Sequence, residues 1–209
     1  MATIATLITQ IRYDVEDPSS TRWTDAAILN FVKIGIRRMN RIVQRNRLQF
    51  GKLRTELTTT ASTAYVSMPD DFDIFDVMYR TDTRKPIRLF EDWEWEELQS
   101  TDSLQACQLD YENSRIKLKG TPSEELTLAL YYFPEIDPSA YTTSTTMPWS
   151  SRLDDQIAEY VGFRLKNVDE MDVAMETQLM ADLETQILQA YDVNRPQYVE
   201  DGGWVDTEA

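Results

Sequence analysis

The chain has 209 residues, 42% of them apolar, and a formal net charge of −15, enough to bury a core as one domain or as one domain carrying an insertion. No stretch approaches the roughly 18 apolar residues of a membrane span, and the opening IATLITQIRYDVED turns charged too soon for a signal peptide, so a soluble, unprocessed chain is expected. A single cysteine, Cys107, excludes an internal disulfide and points to a reducing cytoplasm, while the absence of histidine removes the commonest metal ligand and proton shuttle.

Ile4, Leu7, Ile8, Ile11 and Val15 recur at helical spacing and predict a first amphipathic helix over residues 3–16. Pro18 and the Ser/Thr run of DPSSTRW end it. Thr24 then offers an N-cap, Asp25 an acid in the first turn where the helix dipole favours an anion, and Trp23 with Ile28 the spacing of a hydrophobic staple. Ile28, Phe31, Val32, Gly35, Met39, Ile42 and Val43 line one face of this second helix to about residue 49, with Gly51 as its stop.

The opposite face is basic. Lys33, Arg37, Arg41 and Arg45 follow one another at i, i+4, with Arg38 beside them. Like charges at that spacing repel by roughly 0.2–0.5 kcal/mol per pair on an isolated helix. The stripe reads either as a solvated face or as a surface made for an acidic partner.

Between about 52 and 134 the period changes to short runs rich in β-branched and aromatic residues: LRTELTTT, AYVSM, DIFDVMYR, PIRLF, CQLDY, RIKLKG and LTLALYYF. Pro69-Asp70-Asp71, Lys85-Pro86 and Gly120-Thr121-Pro122 separate them as turns. Seven antiparallel strands are predicted, with EDWEWEELQS as a helical turn. After the Thr/Ser-rich PSAYTTSTTMPWSS the helical period returns, through Ile157, Val161, Leu165 and Val168 and then Met175, Leu179, Leu183 and Ile187, giving helices at about 151–168 and 171–191 with Asp172 capping the second. NRPQYVEDGGWVDTEA has no period and reads as disordered when alone. The expected organisation is 1–51 for the N-terminal helices, 52–148 for an inserted β domain, 149–192 for the C-terminal helices completing the helical domain, and 193–209 for a tail. The fold class is α+β, an antiparallel helical bundle with a small inserted antiparallel β domain and a flexible C-terminal tail.

No catalytic constellation emerges. Without histidine there is no Ser-His or Cys-His pair, and the six glycines form neither a P-loop nor a dinucleotide fingerprint. Asp70-Asp71 reads as turn chemistry, Asp154-Asp155 as one of the chance pairs expected among 36 acids, and Cys107 as a small core residue. Trp93, Trp95 and Trp149 read as core or interface anchors. No enzyme, cofactor or metal is expected. Charge is informative instead: residues 22–54 hold nine bases against one acid, and residues 150–209 fourteen acids against four bases. A basic segment followed by an acidic end suits head-to-tail self-association. The alternative is a nucleic-acid-binding module using the basic face of 33–47, although such modules are usually basic overall.

The order of these elements resembles a known family. A short helix, then RWTDAAILNFVKIGIRRMNR, YVSMPDDFDIFDVMYR, RIKLKGTPSEELTLALYYFPEI and a closing helical pair containing LDDQIAEYVGFRLKNVDE, is similar to the head-to-tail adaptor (connector) proteins of tailed bacteriophages, in particular the tail tubular protein A and podophage adaptor branch, over roughly residues 4–192. The resemblance implies a virion structural protein, made in the host bacterial cytoplasm, that forms a dodecameric ring under the portal protein, meets a tail nozzle or tail-tube protein below, and continues a channel through which DNA passes without sequence-specific binding. Within that picture Lys33, Arg37, Arg38, Arg41 and Arg45 are expected to meet Asp154, Asp155 and Glu159 of the next subunit. Tyr198, Val199, Trp204 and Val205 are expected to hold the portal, and Trp93 and Trp95 to contact tail components.

Overall fold

A computed structural model describes residues 2–97, 104–168 and 172–191. In chain order these form α1 (Ile4–Asp14), α2 (Asp25–Arg45), β1 (Leu53–Thr58), β2 (Tyr65–Ser67), β3 (Phe72–Arg80), β4 (Pro86–Leu89), α3 (Asp92–Glu97), β5 (Ala106–Asp110), β6 (Arg115–Leu118), β7 (Thr127–Pro134), α4 (Asp154–Lys166) and α5 (Val173–Tyr191). The fold is mixed α+β, with five helices and seven strands among the described residues. The chain divides into two compact units, one from residues 1–48 and 137–209, the other from Gln49–Ile136.

In the helical unit, α1 buries Ile4, Leu7, Ile8 and Ile11, and α2 buries Ile28, Val32, Ile36, Met39, Ile42 and Val43. Thr24 caps α2 by accepting from the Ala27 N–H at 3.2 Å, and Asp172 caps α5 by accepting from the Met175 N–H at 2.8 Å. Gly35 lets α2 lie close against α4: a Cβ there would sit 3.3 Å from both Ile157 Cγ2 and Tyr160 Cδ1. The turn between α1 and α2 is organised by the buried carboxylate of Asp17. It accepts the backbone N–H groups of Thr21, Arg22 and Trp23 and the Thr21 hydroxyl, and pairs with Arg12 at 3.3 Å. Burial opposes ionisation of Asp17, but these bonds, led by that from Trp23, hold its carboxyl down at about 2. Arg12 also reaches Asp25 in the first turn of α2, so one buried guanidinium joins the end of α1 to the start of α2.

Three helix boundaries differ from the sequence expectation. The second helix stops at Arg45 with Asn46 as its C-cap, and Arg47, at φ 50°, takes the left-handed conformation that Gly51 was expected to supply. Gly51 lies in a short 3-10 turn, Gln49–Gly51. The last two helices begin at Asp154 and Val173, and Trp149, Ser150 and Ser151, all with positive φ (54°, 54° and 65°), form a left-handed turn before α4. Backbone bonds from Ile4 and Ala5 to the carbonyls of Thr145 and Thr143, and from Met147 to Ala2, fasten that loop to α1.

In the other unit the sheet order is β1-β7-β3-β4-β5-β6-β2. It curls until its two end strands, β1 and β2, touch, so the sheet is nearly closed. Val66, Met78, Ile87, Cys107, Ile116, Leu118, Leu128 and Leu130 fill the interior. The all-antiparallel expectation is corrected at one place: β4 and β5 pair in parallel, through Arg88↔Ala106 and Leu89↔Cys107. A parallel pair needs a crossover longer than a hairpin turn, and the stretch containing α3 supplies it.

Candidate functional site

The helical unit gathers distant charges onto two faces. On the first, α5 runs beside α2 and brings Glu176 and Glu184, two turns apart, to the basic stripe. Arg38 Nη2 donates to Glu176 Oε1 at 3.0 Å, and the same carboxylate accepts from the Tyr160 hydroxyl at 2.9 Å and pairs with Arg164 of α4 at 3.1 Å. Glu184 takes the Arg45 guanidinium and the Asn46 amide, the latter at 2.6 Å. Arg37 pairs with Asp137 at 3.2 Å, and Lys33 Nζ donates to the Ser139 carbonyl at 2.7 Å. Burial opposes ionisation of Glu176 and Glu184, but the Tyr160 bond with the charges of Arg38 and Arg164 at the first, and Asn46 with Arg45 at the second, hold both carboxyls below their usual range. The stripe therefore has partners in its own chain, which the i, i+4 spacing alone did not reveal. Arg41, midway along it, is exposed and has no carboxylate at ion-pair distance among the described residues.

Between α2 and α5 lies an open groove of about 670 Å³. Ile42, Val173, Met180 and Ala181 give it an apolar lining, and Arg38, Arg41 and Arg45 set three guanidiniums against the carboxylates of Glu176 and Glu184. Val173 is 82% exposed.

The second face is acidic. A shallower groove of about 440 Å³ between α1 and α4 is lined by Gln10 and Asp14 from α1 and by Asp155, Glu159 and Phe163 from α4, with Lys166 at one end. Asp155 and Glu159 are exposed, and Gln10 Nε2 donates to Asp155 Oδ1 at 3.4 Å. Asp154 differs: it is half-buried, its Oδ1 has no hydrogen-bond partner among the described residues, and burial, reinforced by the Asp155 charge, raises its carboxyl above the usual range. Tyr13, next to Asp14, is 69% exposed. Tyr13, Val173, Glu176 and Glu184 are site residues that the sequence expectation does not include. The available signal was an apolar residue standing off the helical period, and two glutamates eight apart on one helix face.

The remaining site residues scatter. Trp95 is half-buried, with the Lys119 ammonium 4.8 Å from its ring centre and donating to its carbonyl at 2.8 Å. Trp93 lies in α3, its side chain outside the described set. Tyr198, Val199, Trp204 and Val205 lie outside the described residues. Cys107 is fully buried, which pushes its thiol up to about 12. Among the described residues no group of acids and cysteine is placed to hold a metal, and no helix is long and apolar enough to cross a membrane.

The family model described as SU10 adaptor protein matches residues 2–200, nearly the whole chain. No curated protein matches.

Proposed function

The chain belongs to the SU10 adaptor protein family, phage head-to-tail adaptors, and from that premise we propose that it is a virion structural protein that closes into a dodecameric ring at the head-tail junction. The observation that carries this reading is the family match along residues 2–200. The charge distribution supports it. Arg41 on α2, exposed and without a carboxylate partner among the described residues, and an acidic face on α1 and α4 lie on different surfaces of the helical unit, and different surfaces that attract give heterologous contacts, which close into a ring when the rotation allows. The ring joins the portal protein above to a tail nozzle or tail-tube protein below. Tyr198, Val199, Trp204 and Val205 contribute to the portal contact, and the α3 tryptophans Trp93 and Trp95 face tail components. The excess negative charge falls on exposed surfaces, including the channel wall, where it keeps DNA from being held through counterion release. The chain is made in the host cytoplasm. Pairing of Arg37, Arg38 and Arg45 with carboxylates of the same chain removes much of the free positive charge a phosphate-binding face would need.

Sedimentation velocity of the purified protein, alone and with the portal ring, tests this reading. With the portal present, a single large species heavier than the portal ring by about twelve copies of this chain is expected. A protein that stays monomeric under both conditions overturns it.

A further inference from the structure

Rings of this kind need two complementary surfaces per subunit, and the helical unit carries a matched pair. The α2–α5 groove is apolar at Ile42, Met180 and Val173 and holds Arg41, whose charge no described carboxylate meets. Its two glutamates are already engaged, Glu176 by Arg38, Arg164 and Tyr160, and Glu184 by Arg45 and Asn46. The α1–α4 face is the complement, with three carboxylates, Asp14, Asp155 and Glu159, around a shallow groove, and α1 also carries the exposed Tyr13, the residue before Asp14. Tyr13 and Val173 are the two most exposed large apolar side chains among the described residues, at 69% and 82%. Tyr13 is on the helix that contributes Asp14 to the acidic groove, and Val173 lines the groove that holds the guanidiniums. Isolated exposed apolar residues are ordinary, but two that sit on surfaces of opposite charge are matched in both charge and polarity.

We propose that these are the two halves of one contact. The α2–α5 groove of one copy receives the α1–α4 face of a second copy, with Tyr13 seated against Val173 and Met180 and with Asp155 and Glu159 facing Arg41. The inference rests on the ring reading above and names the surfaces that make it. Because the halves are different, each copy offers one and fills another, and the contact propagates head to tail instead of closing as a two-fold dimer. Aromatic anchors in apolar grooves carry most of the affinity of such contacts, and the charges set orientation and partner choice.

The test uses the full-length chain. Arg41→Glu and Glu159→Arg each place like charges opposite one another, and each is expected to raise the concentration at which the protein assembles by on the order of tenfold. Combining the two restores the opposite signs and is expected to recover most of that loss. Neither residue is buried, so circular dichroism should remain that of the unsubstituted protein. In a second arm, a Tyr13→Cys chain and a Val173→Cys chain are treated with a short bismaleimide, separately and mixed. Crosslinks are expected only in the mixture. Unchanged assembly by the single charge reversals, no recovery in the double variant, or crosslinking of Tyr13→Cys chains to one another would each overturn the proposal while the unsubstituted protein still forms rings. An unsubstituted protein that never assembles would instead bring down the ring reading itself.

Discussion

Glu176 is where α2, α4 and α5 are tied, and its removal has a calculable cost. Its carboxylate, 21% exposed, takes three donors: the Tyr160 hydroxyl at 2.9 Å, Arg38 at 3.0 Å and Arg164 at 3.1 Å. Tyr160 is fully buried, so an orphaned hydroxyl there costs about 1–3 kcal/mol. The arginine side chains are 38% and 25% exposed, so solvent screening holds each ion pair to about 0.5–1 kcal/mol. Glu176→Gln keeps an acceptor for Tyr160 but loses both ion pairs, a loss of about 1–2 kcal/mol. Glu176→Ala loses all three, about 2–5 kcal/mol, and leaves two guanidiniums without their shared counter-charge. At about 2–4 °C per kcal/mol for a chain of this size, the Tm of the helical signal should fall by about 2–8 °C for glutamine and about 4–20 °C for alanine. Thermal unfolding by far-ultraviolet circular dichroism measures it. Tyr160→Phe combined with Glu176→Ala should cost less than the two changes summed, since one bond is counted twice. A Glu176→Ala protein with unchanged Tm, or strict additivity of that pair, would refute the reasoning.

Gly35→Ala should be near neutral, because about 1 kcal/mol of helix propensity is set against two contacts at 3.3 Å, whereas Gly35→Leu should lose about 1–3 kcal/mol by overpacking α2 against α4 in chemical denaturation. Asp17 and Asp110 are ionised in the folded state far below their ordinary value. The stability each adds is therefore fully present above pH 3.8 and lost as pH falls towards about 2, and Asp17→Asn should flatten the acid limb of the helical unit's Tm against pH. Asp110 does the same for the β unit, where Arg115 and Asn113 hold its carboxyl down. Cys107 should be inert to a disulfide reagent at pH 8 until denaturant is added, because its thiol is buried and raised to about 12; rapid labelling of the native protein would contradict its placement.

Much of the local structure was legible because its signals are local. The spacing of Ile4, Leu7, Ile8 and Ile11 marks α1, the Thr24-Asp25 start marks α2, and each of the seven β-rich runs holds one strand. Asp172 caps α5 as its place before the apolar period suggested. What stayed hidden depends on residues far apart in sequence. Glu176 and Glu184 meet Arg38 and Arg45 across 138 and 139 positions, so periodicity shows a charged face on each helix but not that the two meet. The parallel pairing of β4 with β5 follows from a crossover whose length no turn signature marks. α2 ends before Gly51 because Arg47, in place of the usual glycine, takes the left-handed conformation. DPSSTRW shows a turn, but not that the carboxylate just before Pro18 would collect three backbone amides.

A ring of identical subunits held by unlike faces beneath the portal would be visible directly by electron cryo-microscopy of the protein bound to the portal ring. The expected map shows a closed ring of twelve copies in which the α2–α5 groove of each subunit holds the α1–α4 face of its neighbour. A map in which subunits attach singly to the portal without touching one another, or meet through the same face on both sides, would contradict it.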